Sequence, residues 1–134
     1  MWLVRLLMGS EVSHGVEPLT IFAIVETAEE ADVPHIIKTV VHLVRHGEPD
    51  GGERFRGRLD HPLNETGWAQ MRAALDAFSG CDVVVSSPLK RCIEPAMEQA
   101  QRFAVPLWVD SRLREMSFGA WEGTTSDQIQ ARYG

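Results

Sequence analysis

The sequence predicts an α/β domain built on a mainly parallel sheet. Short apolar, β-branched runs at 40–46, 82–86 and 106–109 alternate with longer stretches of helical period. The first two runs are joined by one amphipathic stretch, the spacing of a right-handed crossover and therefore of a parallel pair. Each run also ends in a polar turn, and in open α/β sheets ligands bind at the carboxyl ends of the strands.

Residues 1–38 are the least regular. Pro18 to Ala31 allows a short helix, with Leu19, Phe22, Ala23 and Glu26 at helical spacing, although Ile21, Ile24 and Val25 blur its face and Pro34 stops it. The run Val40-Val41-His42-Leu43-Val44 reads as a buried strand that ends abruptly at Arg45-His46-Gly47, before the turn cluster Glu48-Pro49-Asp50-Gly51-Gly52. Asn64 can cap a helix running to about Phe78, with Trp68, Met71, Leu75 and Phe78 on one apolar stripe. Gly80 ends it. After the strand at 82–86, Ser87 and Pro88 suit a helix start, and Leu89, Cys92, Ala96 and Ala100 form the inward face of a helix finishing near Phe103. Pro95 requires that helix to kink or to be shorter than its pattern, because it cannot donate to the Arg91 carbonyl. A third strand follows at 106–109, then an irregular stretch from Leu113 to Gly123 and a last helix capped by Ser126.

The 134 residues fit one domain with a real core, and the net charge of -6 argues against nucleic acid as a partner. Residues 1–38 hold -4 of that charge, which sets them apart from residues 39–134 in composition. We therefore expect an N-terminal extension over 1–38 and a second unit over 39–134. Cys81 and Cys92 make no disulfide framework and show no metal-ligand spacing, so a reducing cytoplasm is expected and neither cofactor nor metal is called for. The run Trp2–Met8 is too short for a signal peptide and is interrupted by Arg5. No stretch approaches the length of a membrane span, so no membrane partner is expected.

Three strand ends bring polar residues to one side of the sheet: Arg45 and His46, then Lys90 and Arg91, then Arg112, Arg114 and Glu115. Guanidinium forks match phosphate oxygens, and unpaired N–H groups of a helix's first turn also attract anions. A histidine between arginines is placed to attack phosphorus, and a nearby carboxyl can protonate the leaving oxygen. Arg54, Arg56 and Arg58 suit a small anionic ligand but read more readily as a solvated basic loop. His42 reads as a packed core histidine, His61 as loop structure, Trp121 as packing, and Cys92 as a small buried hydrophobe.

Four motifs in order, Leu43-Val44-Arg45-His46-Gly47-Glu48, Gly57-Arg58-Leu59-Asp60-His61-Pro62-Leu63, Ser86-Ser87-Pro88-Leu89-Lys90-Arg91 and Leu113-Arg114-Glu115-Met116-Ser117-Phe118-Gly119-Ala120-Trp121-Glu122-Gly123, resemble the histidine phosphatase (phosphoglycerate mutase-like) superfamily. The resemblance implies a three-layer sandwich and phosphomonoester hydrolysis through a phosphohistidine. It makes His46 the nucleophile, Arg45 and Arg91 the holders of the phosphoryl oxygens, and Glu115 the general acid, with Arg58 a weaker phosphate contact. It implies a small phosphorylated substrate, no cofactor, and allows a homodimer. Gly51-Gly52, Gly67-Trp68-Ala69-Gln70-Met71 and Cys92 look closest to α-ribazole phosphatase of cobalamin biosynthesis. A broad-specificity phosphatase or sugar-phosphate mutase is the alternative enzyme, and an inactive phosphate-binding remnant the alternative from another class.

The sequence departs from this family in one respect above all. The family's second histidine ends a later strand beside the first, and no histidine follows Gly123 here. We expect a fold incomplete at its C-terminus, with the strand at 40–46 left with an open edge. Ser13-His14-Gly15 looks like the missing turn and would supply it by circular permutation. The charge balance and lack of motifs in 1–38 favour an unrelated extension instead, packed weakly, with His14 far from His46. The Gly51-Gly52 region also replaces an asparagine that many members carry.

Overall fold

Thr39, Val40 and Val41 are β-branched, suited to a pleated surface with neighbours on both sides. They form β3 (Lys38–Leu43), which lies inside the sheet. The structure, a computed structural model, describes residues 2–7, 20–24 and 38–134. β1 (Trp2–Leu7) and β2 (Thr20–Ile24) flank β3, and β4 (Val83–Ser86) and β5 (Leu107–Val109) complete the order β2-β3-β1-β4-β5. β3, β4 and β5 run one way, with β4 and β5 paired in parallel, whereas β1 and β2 run against them.

Three expectations about the sheet need correction. The strands at 40–46 and 82–86 share a direction but are not partners, because β1 lies between them and pairs antiparallel with each. The crossover rule sets direction, not adjacency. β3 therefore has no open edge, and the two described strands of 1–38 do not pack weakly: β1 matches all of β3 from Trp2↔Leu43 to Leu7↔Lys38. Finally, residues 20–24 form a strand where a helix was expected, since Thr20, Ile21, Phe22 and Ile24 suit a ladder and β3 supplies it. The rest of that expected helix, and His14, lie outside the described residues.

The helix α1 (Glu65–Asp76) starts as its sequence requires. Asn64 caps it, its side chain accepting from the Gly67 N–H at 2.8 Å, an interaction typically worth ~1 kcal/mol. The same side chain donates to Glu48 Oε1 at 2.7 Å, and the Asn64 N–H donates to the Glu48 carbonyl at 3.1 Å. Two glycines make this docking close. A Cβ on Gly47 would lie 2.2 Å from the Gly67 carbonyl oxygen, and one on Gly67 would lie 2.1 Å from that of Glu48. The start of α1 is thus pressed against the residues that leave β3.

The helix α2 (Lys90–Phe103) runs through Pro95, which is fully buried, so the proline does not shorten it. Ser87 and Pro88 precede it rather than open it. Ser87 Oγ accepts weakly from Leu89 N–H at 3.4 Å, and the first helical N–H, that of Lys90, is taken by Asp60 at 2.6 Å. Its buried face carries Arg91, Pro95 and Gln99 beside the expected Ala96 and Ala100.

One core joins these elements: Val44 just after β3, Val84 from β4, Met71, Leu75 and Phe78 from α1 and its end, and Ala96 and Ala100 from α2. Burying a side chain such as Met71 or Leu75 contributes ~1.5–3 kcal/mol. The surface pairs Arg72–Glu98 and Arg102–Asp76 link the two helices, but both are exposed and screened by solvent, so they add little to stability. Two short 3-10 turns, Ser111–Leu113 and Gly119–Trp121, precede α3 (Ser126–Tyr133). Thr125, not Ser126, caps α3, in a reciprocal capping box with Gln128.

Candidate active site

β3 ends at Leu43, Val44 turns into the core, and the next two side chains emerge at the carboxyl end of the sheet. His46 is half-buried, and its Nδ1 lies 2.7 Å from the Gly47 carbonyl oxygen. A carbonyl only accepts, so Nδ1 carries the proton and Nε2 keeps the lone pair. Burial lowers the His46 pKa, the Gly47 bond opposes this, and the Arg91 and Arg45 charges lower it further. The imidazole is thereby held neutral, as a nucleophile requires.

This depression has a sign that can be checked. Titration of the His46 imidazole by NMR should show a midpoint below the ordinary 6.5. Between that midpoint and 6.5 the unfolded chain binds more protons at this residue than the folded one. Its contribution to stability is therefore full above about 6.5 and is lost as pH falls through the folded midpoint. Denaturant melts at stepped pH test the direction.

Arg91 is the other half of the site. It is 2% exposed, and its guanidinium donates to the carbonyls of Leu59 at 2.8 Å and Gly57 at 2.9 Å. Among the described residues it has no carboxylate partner within ion-pair distance. A buried cation held only by neutral carbonyls stays uncompensated until an anion arrives.

His46 and Arg91 line one cavity of about 220 Å³ together with Ser87, Leu89, Cys92, Leu113, Arg114 and Glu115. Glu115 is exposed at its rim, its Oε1 accepting from Met116 N–H at 2.9 Å. A larger groove, about 520 Å³, is lined by Glu53, Arg54, Phe55, Thr125, Ser126 and Asp127. It sets one cation against two carboxylates and holds no histidine, whereas the smaller cavity brings a histidine and a buried guanidinium together.

Other residues singled out in the sequence fall differently. Arg45 is exposed and does not line the cavity, although its charge reaches His46. Arg58 is exposed, and its backbone N–H rather than its side chain makes the notable bond, to Glu122. Arg112 pairs with Asp110, and Lys90 offers its N–H to Asp60. Arg56 is structural rather than solvated: its guanidinium donates to the carbonyls of Pro49, Asp50 and Gly52 and folds the loop after His46. Cys92 faces the cavity rather than the core, and burial pushes its thiol pKa up. His42 packs at a tilt against Phe78 with ring centroids 4.7 Å apart, and among the described residues no second histidine lines the cavity.

Glu122 was not singled out, yet its Oε1 accepts from Ser117 Oγ at 3.0 Å, Phe118 N–H at 3.1 Å and Arg58 N–H at 3.2 Å. These bonds, that from Arg58 first, hold its pKa below the usual carboxylate range. No local pattern links residues 58 and 122. Among the described residues no helix is long and apolar enough to cross a membrane.

The molecule is thus an α/β protein in which a strand-end histidine and a buried arginine, without a carboxylate partner among the described residues, line one cavity. The chain belongs to the histidine phosphatase superfamily (branch 1), whose family model matches residues 41–134. It is 38% identical to glucosyl-3-phosphoglycerate phosphatase of Mycobacterium tuberculosis, over 66% of this chain and 42% of that one. It is 39% identical to a putative phosphoserine phosphatase 2 of Hydrogenobacter thermophilus, over 62% of this chain and 43% of that one. A solved structure of mycobacterial glucosyl-3-phosphoglycerate phosphatase with VO3 aligns with a TM-score of 0.61 at 36% identity, covering 66% of this chain and 44% of that one. The chain thus spans less than half the length of each of these relatives.

Proposed function

We propose that the protein hydrolyses small phosphomonoesters through a phosphohistidine on His46. The observation that carries this is the pairing of an imidazole whose Nδ1 is tied to Gly47 with the buried, carboxylate-free guanidinium of Arg91 in one cavity. His46 Nε2 attacks phosphorus as the ester P–O bond breaks, and Glu115 gives its proton to the leaving oxygen. Water then attacks the phosphohistidine, Glu115 takes a proton from it, and the N–P bond breaks to release phosphate. Arg91 faces the phosphoryl oxygens throughout and stabilises their charge, with Arg45 adding to the local positive potential. Arg58 remains a candidate contact for the phosphate group.

For the substrate we favour esters that carry a carboxylate near the phosphate. Arg114 lines the cavity, and no bond from its guanidinium is seen among the described residues, so it is placed to read a second anion. Glucosyl-3-phosphoglycerate and phosphoserine, the substrates named for the relatives, both have one. A second reading, α-ribazole 5′-phosphate, rests on Gly51-Gly52, Gly67-Trp68-Ala69-Gln70-Met71 and Cys92 in the sequence. Broad specificity fits the relatives about as well.

Steady-state rates on phosphoserine, 3-phosphoglycerate, α-ribazole 5′-phosphate and a neutral alkyl phosphate separate these readings. Arg114→Ala should raise KM about tenfold for the carboxylated esters and less than about twofold for the others. A uniform effect across the panel counts against the carboxylate.

A further inference from the structure

We propose that Glu122 is a positioning residue that holds the proton donor Glu115 in register with Arg91, a role that rests on the phosphohistidine reading above. One oxygen makes the joint. Glu122 Oε1 accepts from Arg58 N–H on one side and from Ser117 Oγ and Phe118 N–H on the other. Arg58 lies between Gly57 and Leu59, the residues whose carbonyls hold the Arg91 guanidinium. Ser117 and Phe118 follow Glu115 by two and three residues. The loop that seats the phosphate-facing cation and the loop that carries the acid therefore meet on a single carboxylate.

Glu115's own hydrogen bond, to the adjacent Met116 N–H, fixes its side chain but not the path of its loop. The space for the joint is made by Gly57, at φ +52, where an added Cβ would lie 2.4 Å from Glu122 Oε1. Only a residue without a side chain lets the carboxylate come so close. The neighbouring strands of loop are tied independently. Phe55 N–H donates to the Thr124 carbonyl at 2.9 Å and Gly123 N–H to the Phe55 carbonyl at 2.7 Å, while the Phe55 and Phe118 rings meet edge-on at 5.5 Å. Loss of the Glu122 carboxylate therefore leaves the region folded and loosens the placement of residues 115–118.

The discriminating readout is dependence on the leaving group. p-Nitrophenolate departs without a proton, whereas an alkoxide needs one from Glu115. In the full chain, rapid-quench measurement of His46 phosphorylation should show Glu122→Ala, which removes the acceptor oxygen, about 30-fold slower with an alkyl phosphate and less than about threefold slower with p-nitrophenyl phosphate. Ser117→Ala, which removes one exposed donor, should show the same selectivity at about threefold, and serves if Glu122→Ala does not fold. Equal slowing on both substrates, or none on either, overturns the positioning role while the phosphohistidine stands. Absence of acid-labile label in the unmodified protein overturns the phosphohistidine reading and the positioning role together.

Discussion

Replacing His46 with alanine should abolish the acid-labile phosphoprotein and lower kcat/KM by at least about 10³-fold. The size of the effect follows from what the substitution removes. Nε2 is the atom that would bond to phosphorus, and the Nδ1 bond to Gly47 leaves it unprotonated. Water in the vacated space has no such preorganised lone pair. Because His46 is only half-buried and ties to its own neighbour, the variant should keep its fold, and a thermal melt close to that of the unmodified protein separates lost chemistry from lost structure. Persistence of acid-labile label would place the nucleophile elsewhere. Saturable phosphate binding with no turnover in the unmodified chain would favour a phosphate-binding remnant over an enzyme.

The second large effect is expected at Arg91. Arg91→Lys keeps the positive charge but not the planar fork that reaches the Gly57 and Leu59 carbonyls while facing the cavity. Loss of one such preorganised donor costs about 10²–10³-fold in kcat, and a comparable fall is expected here. Stability should fall too, because the buried Gly57 carbonyl left without its donor costs ~1–3 kcal/mol. Steady-state kinetics and a urea midpoint measure the two losses separately. Activity within about threefold of the parent would mean that the guanidinium serves the fold rather than the phosphate.

Much of the site was legible because it sits where short-range rules place it. His46 and Arg91 follow strands recognisable from β-branched runs, and Asn64 marks the start of α1 by its capping chemistry alone. Glu115 follows the third strand among other polar residues, and only its motif singles it out as the general acid, since nothing local distinguishes an exposed loop carboxylate. Glu122 lies within that motif, but nothing local signals its task, because its partner Arg58 lies 64 residues away. Arg56 looked like surface charge for the same reason: its acceptors are backbone carbonyls, which every residue has and no pattern advertises.

By itself the sequence determined the alternation of strands and helices over residues 40–109, the motifs, and the identities of the nucleophile and buried cation as candidates. Those features depend on side-chain periodicity and on capping and turn chemistry, which act within a few residues. Only the tertiary structure decided that β1 sits between β3 and β4, that Gly47 and Gly67 let α1 close on the histidine's loop, and that Glu122 joins the loops behind Arg91 and Glu115. Each of these depends on hydrogen bonds or close approaches between segments distant in sequence. Their partners are set by the path of the whole chain rather than by the residues that meet.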